Sequence, residues 1–198
     1  MGRMNKYPDS LEFTLEFPMK NFWKGKRVFV TGSAGFLGTH LCKKLESLGA
    51  ELGLFIHTTE SHLSAMRVYG DLGDYYANLF HFLKAFQPEI VFHLASQALV
   101  SKAMEDEMVT LQTNVAGTYN LLHACKSYGV ESFVHISTDK VYGNTPVITR
   151  DTVPSGVHHP YNASKFASDS LAQMYSNFFN VPMVIIRNAN VYGAGDLH

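Results

Sequence analysis

The chain is short of cysteine, proline and net charge, and it has no long apolar run. Its only thiols, Cys42 and Cys125, both fall in helical patterns. Two buried thiols in a reducing compartment are therefore expected, not a disulfide framework. A formal net charge of −1 gives the whole molecule no electrostatic claim on nucleic acid or an anionic membrane. No segment approaches the roughly 20 apolar residues of a membrane-spanning helix. Lys6, Pro8, Asp9, Glu12, Glu16 and Pro18 stand where a secretory leader needs an apolar stretch. Lys6 also stands where a myristoylated start needs serine or threonine. A cytoplasmic location is expected. His158 and His159 are adjacent, with no Cys, Asp or Glu at ligand spacing, so no metal site is expected.

What is present suits a globular domain with a sizeable core: 46% hydrophobic and 17% charged residues in a chain of 198. Residues 1–25 read as an arm, in which the alternation of Phe13, Leu15 and Phe17 permits a short edge strand. Residues 26–198 read as one dinucleotide-binding domain. Arg27 to Thr31 is a short apolar strand. Phe36, Leu37, His40, Leu41, Leu45 and Leu48 then repeat at helical spacing until Gly49. Further strands are expected at Leu52–Ile56, Arg67–Gly70, Ile90–Leu94, Phe133–Ser137 and Met183–Arg187. Between them fall a helix from Tyr75 to Phe86, a long helix over 103–128 and another over 162–179. Tyr75, Tyr76, Phe80 and Phe82 read as core and rim of the first of these. Apolar strands alternating with helices give an α/β fold, a doubly wound parallel sheet of order 3-2-1-4-5-6. Thr145 to Pro160 holds three of the seven prolines and no periodicity, so it reads as a functional loop.

Gly32, Gly35 and Gly38 are spaced G-x-x-G-x-x-G between the first strand and its helix. The first glycine permits the tight turn, the second lets backbone approach a pyrophosphate, and the third lets helix pack on strand. The phosphates then face the unpaired N–H groups of the helix N-terminus. This placement points to NAD or NADP. The end of the second strand does not decide between them, and NAD is the expected cofactor, with NADP as the alternative. That strand end carries His57-Thr58-Thr59 with Glu60 one step late, and no arginine that would clamp a 2′-phosphate. Asp71, after the third strand, is equally suited to the adenine edge and to capping a helix.

Tyr161 and Lys165 stand at i and i+4, on one helix face. An ammonium near a phenol favours the phenolate, so Lys165 is expected to bring Tyr161 toward the range of a general base. Thr138, at a strand end, can hydrogen-bond the substrate oxygen whose proton Tyr161 takes.

Together these residues resemble the extended short-chain dehydrogenase/reductase family from about Phe22 to Gly195. The resemblance is carried by Thr31–Gly38, Gly70–Leu72, His93–Gln97, Thr113–Thr118, Ser137–Gly143, Tyr161–Lys165 and Arg187–Gly193. It implies that Phe36, Leu37, Leu72, Leu94 and Ala95 line the cofactor with the glycines, Asp71, Tyr161 and Lys165. It further implies that Thr138, Tyr161 and Lys165 are catalytic, that Asn190 contacts a nucleotide-linked sugar, that Asn114 is structural, and that the chain is a homodimer through its two long helices. Within the family, Thr138-Asp139-Lys140 resembles the 4,6-dehydratase branch with a CDP-glucose-like substrate. There Asp139 would be the acid that helps water leave C6, and Lys140 would assist at C5. A nucleotide-sugar 4-epimerase or reductase and a non-catalytic NAD-binding remnant are the alternatives. Family members usually run another hundred or more residues, which would hold most of the nucleotide.

Overall fold

A computed structural model describes residues 21–57, 64–74, 77–143, 145, 147–155 and 159–195. Its six strands are β1 (Arg27–Thr31), β2 (Glu51–Ile56), β3 (Ala65–Tyr69), β4 (Ile90–His93), β5 (Ser132–Thr138) and β6 (Met183–Asn188). All pair in parallel, in the order β3-β2-β1-β4-β5-β6. This is the expected doubly wound sheet. The helices are α1 (Phe36–Ser47), α2 (Ala77–Phe86), α3 (Val100–Glu105), α4 (Glu107–Leu111), α5 (Gly117–Tyr128) and α6 (Pro160–Phe179).

Strand alternation divides the core between the two faces. Val28, Val30, Leu52 and Leu54 pack with Cys42 and Leu45 of α1. On the other face Phe29, Val91 and Phe133 pack with Leu79 and Leu83 of α2, Leu121 and Leu122 of α5, and Tyr175 of α6. Each large apolar side chain buried this way is worth roughly 1.5–3 kcal/mol. Trp23, from the segment before β1, lies against Phe92 with ring centroids 6.3 Å apart. The possible strand around Phe13–Phe17 and the residues Tyr75 and Tyr76 lie outside the described residues.

The expected single helix over 103–128 is divided. Asp106 leaves helical geometry (φ −145°, ψ 85°), and its Oδ1 accepts the Val109 N–H at 2.9 Å, so it ends α3 and caps α4. Gln112–Ala116 then forms a π turn ahead of α5. That turn holds Asn114, whose Oδ1 accepts the Gln97 N–H at 2.7 Å. Its Nδ2 donates to Gln97 O at 3.0 Å and to Ser164 Oγ at 2.9 Å. The structural part expected of Asn114 is thus a clamp between the β4 exit and α6. The last helix begins two residues earlier than expected: Pro160 fits its first turn and His159 caps it. Asn180, in the left-handed region at φ 54°, ends it.

Candidate active site

The candidate site residues gather around the carboxyl ends of the strands and the helix turns beside them, on both sides of the point where the order reverses between β1 and β4. That is where open α/β sheets bind ligands. The glycine turn needs its glycines for a visible reason. A Cβ on Gly32 would stand 2.6 Å from the Ala95 nitrogen, and one on Gly38 would collide with the Gly32 carbonyl. Gly35 is different: it is exposed, and a Cβ there meets only Gly32 O at 3.3 Å. Gly35 is the N-cap of α1 and supplies no side-chain cap. The first N–H groups of the helix are left open, as an anion requires. Ser33 Oγ is buried in the same turn without a partner. These unfilled donors fit a pyrophosphate.

Two continuous hollows meet over this turn, sharing Gly32, Gly35, Leu94 and Ser96. The first runs past Phe55, His57, Asp71, Leu72, Ala95 and Thr113. The second runs past Phe36, Leu37, Gly38, Leu99, Thr138, Tyr161, Lys165, Asn188 and Asn190. A two-ended ligand bound across a central diphosphate fits this shape. Asp71 does two things there. Its Oδ1 accepts the Gly73 N–H at 2.8 Å, and its Oδ2 lies 3.5 Å from His57 Nε2. A carboxylate from the end of β3 thus reaches the hollow that an acid at the end of β2 would border. Thr58, Thr59 and Glu60 lie outside the described residues.

Ala95 is held by a buried polar chain. It donates its N–H to Thr31 Oγ1 at 3.2 Å. The Thr31 hydroxyl meets His93 Nδ1 at 2.7 Å, and His93 Nε2 meets Thr118 Oγ1 at 2.9 Å. Thr118 in turn donates to Asn114 O at 2.7 Å. With Thr118 committed as a donor, Nε2 carries the imidazole proton and Nδ1 accepts, so a neutral ring satisfies every partner. Burial and the neighbouring His135 and Lys165 hold His93 well below the ordinary histidine value.

At the end of β5, Thr138 Oγ1 lies 3.1 Å from Asp139 Oδ1, and Lys140 Nζ lies 3.5 Å from Asp139 Oδ2. The 3-10 turn Asp139–Tyr142 places these groups just beyond β5. One expectation needs correction. The Lys165 ammonium donates to the Ile136 carbonyl at 2.9 Å and does not lower the Tyr161 phenol. Burial pushes that phenol up, a hydrogen bond with Thr138 opposes the rise, and the charge of Asp139 adds to it. Burial brings Lys165 down to about 8, with Asp169 acting the other way. Tyr161 is therefore a neutral phenol in the chain as it stands.

The sequence reading missed several groups that the fold brings here. Asn188 borders the second hollow with a buried, unpartnered Oδ1. Asp169 accepts from Ser137 Oγ at 2.6 Å and from two Arg187 nitrogens at 2.9 and 2.7 Å. Residues this far apart in sequence carry no local signal of their pairing. Only the i+4 step from Lys165 to Asp169 on α6 could have drawn notice.

Comparison with known proteins agrees with this geometry. Residues 28–198 match the model of the NAD dependent epimerase/dehydratase family. The CDP-glucose 4,6-dehydratase of Salmonella typhimurium is 37% identical over 199 residues, covering 89% of this chain and 55% of that protein. A UDP-glucose 4-epimerase of Thermus thermophilus, solved with NAD, superposes with a TM-score of 0.79 at 33% identity, covering 87% of this chain and 58% of that one. The dTDP-glucose 4,6-dehydratase of Streptomyces venezuelae, also solved with NAD, gives 0.76 at 29% identity, covering 85% and 57%. The chain thus spans about half the length of the relatives it matches. In its sheet order, its glycine turn and its sequence from Val28 onward, the chain belongs to the NAD dependent epimerase/dehydratase family.

Proposed function

We propose that the chain is the cofactor-binding, catalytic part of an NAD-dependent nucleotide-sugar 4,6-dehydratase acting on a CDP-glucose-like substrate. The observation that carries this reading is the grouping of Thr138, Asp139 and Lys140 beside Tyr161, at the end of the cleft opposite Asp71. The 37% identity to a CDP-glucose 4,6-dehydratase supports it. NAD as the cofactor is supported by the relatives solved with it and by the open N–H groups in the first turn of α1, after Gly35.

Gly32, Gly35, Phe36, Leu37 and Gly38 take the diphosphate and its flanks, Asp71 and Leu72 the adenosine side, and Leu94, Ala95 and Lys165 the nicotinamide side. Bound NAD supplies a reversible two-electron oxidation of the sugar. Thr138 orients the C4 hydroxyl, and Tyr161 accepts its proton once its own phenol has ionised to the phenolate, so the base is formed only in the loaded cleft. Asp139 is the acid for the hydroxyl that leaves C6 as water, with Lys140 beside it at C5. Asn190 and the unpartnered Asn188 Oδ1 meet the sugar nucleotide. We assign residues 1–25 to an arm and 26–198 to the catalytic unit, and we place the protein in the cytoplasm. Among the described residues no helix is long and apolar enough to cross a membrane. Met104, Met108, Val109, Leu111, Tyr119 and Phe178 expose an apolar surface on α3 to α6, the face through which we propose a homodimer.

A 4-epimerase is the second reading, favoured by the 33% identity to an epimerase of the same fold. Mass spectrometry separates the two. CDP-glucose, dTDP-glucose and UDP-glucose are incubated with the chain and NAD. A product lighter by one water supports dehydration. An isomerised product of unchanged mass supports epimerisation instead.

A further inference from the structure

Lys165 is the buried cation of the cleft, and Asp169, one helical turn onward on α6, is the carboxylate that acts on it. Asp169 is itself 1% exposed. Its two oxygens take four hydrogen bonds: Ser137 Oγ at 2.6 Å, Arg187 Nε at 2.9 Å, Arg187 Nη2 at 2.7 Å and Gln173 Nε2 at 2.6 Å. Arg187 Nη1 continues to the Tyr142 hydroxyl at 2.7 Å. One carboxylate thereby joins α6, β5, β6 and the 3-10 turn that carries Asp139 and Lys140. Ser137 stands between Ile136, whose carbonyl takes the Lys165 ammonium, and Thr138.

We infer that Asp169 is a positioning residue for the cleft: its buried carboxylate keeps Lys165 charged and fixes the β5 end, from Ile136 to Thr138, against it. The groups around Lys165 make a counter-charge necessary. His135 on β5 and His93 on β4 are both buried, are lowered first by that burial and further by the Lys165 cation, and supply no negative charge. Tyr161, on the same helix, is a neutral phenol. An isolated ammonium in such a site sheds its proton, because burial penalises the charged form. Arg187 works in the opposite sense. It spends part of the Asp169 charge on its own guanidinium, so the two residues should move Lys165 in opposite directions. A purely architectural ion pair has no such signature, since losing either member would loosen the same packing.

The consequence for cofactor capture rests on the dinucleotide reading above, whereas the charge of Lys165 can be measured without it. The experiment is an NMR pH titration of chain labelled with 13C at the lysine Cε, with Lys165 assigned through K165R. In Asp169→Asn, Lys165 should titrate at least about one pH unit lower than in the native chain, the usual reach of a neighbouring opposite charge. In Arg187→Gln it should titrate higher, and Asp169→Glu should restore most of the native value. NADH binding followed by fluorescence should fail at correspondingly lower pH in Asp169→Asn. An unchanged Lys165 titration in Asp169→Asn, or shifts of the same sign in Asp169→Asn and Arg187→Gln, overturns the inference. Should Asp169→Asn fail to fold, Arg187→Gln decides alone: a Lys165 titration that stays or falls overturns it. Lys165 shifts of the expected signs, with no NADH bound by any form, would sink the cofactor reading and leave the role of Asp169 standing.

Discussion

His93 and His135 lie stacked inside the sheet, with ring centroids 5.4 Å apart, and they differ in one respect. Both nitrogens of His93 have hydroxyl partners, while neither nitrogen of His135 has a partner. Burial, and then the Lys165 cation, bring His135 down to about 3. The sign for stability follows. Above the unfolded value of about 6.5 the ring is neutral in both states and the full stability is present. As pH falls from there toward 3, the unfolded chain gains a proton that the folded chain refuses. Stability is lost at about 1.4 kcal/mol per pH unit from this one site. His135→Leu removes that loss. Thermal unfolding followed from neutral pH to about pH 4 should show a shallower fall in Tm for the variant than for the native chain. Parallel falls would show that His135 does not set the acid limit. None of this was legible in the sequence, where histidines in strands look alike. Their difference comes from Thr31 and Thr118, which only the fold brings to His93. The correction at Lys165 has the same origin. The i, i+4 step rightly put it on one face with Tyr161, but the Ile136 carbonyl that holds its ammonium belongs to another element.

Elements with strong periodicity were legible. The apolar runs at β1, β4 and β5 and the stripe of α1 set boundaries within one or two residues, because burial on both faces leaves few polar positions, and the right-handed crossover rule supplied the strand order. The segment from Val100 to Tyr128 was legible only as helix. Its break at Asp106 and its π turn at 112–116 leave the apolar spacing almost untouched, so periodicity does not reveal them. The break has a testable cost. Asp106→Ala removes the cap on the Val109 N–H and should destabilise the chain by about 0.5–2 kcal/mol in urea denaturation, with an unchanged m-value. No change would mean that the junction of α3 and α4 is held by packing alone. The π turn matters to the site, since it presents Asn114 to both Gln97 and Ser164 and so ties the β4 exit to the helix of Tyr161 and Lys165.

At the scale of the whole molecule, two features stand out: a cleft with two ends and an apolar surface on one flank. The flank predicts association. Exposed Met104, Met108 and Phe178, each more than 60% accessible, should be covered in a homodimer. Sedimentation at micromolar concentration should give twice the chain mass, and a monomer at all concentrations would contradict the dimer. The cleft carries the central claim, and Gly35 is the position that isolates it. Gly32 and Gly38 are packed against backbone, so substituting them would disturb the fold as well as the ligand. Gly35 is exposed, has φ of −73°, and a Cβ there meets only Gly32 O at 3.3 Å, so the turn has to give by no more than a few tenths of an ångström. Valine there should leave the sheet intact and obstruct the diphosphate path. The direct measurement is calorimetric titration of NADH into the native chain and into Gly35→Val, with circular dichroism of both. The account predicts binding by the native chain, and loss of binding with an unchanged spectrum in the variant. Equal affinity in the two would contradict it, as would absence of binding by a folded native chain.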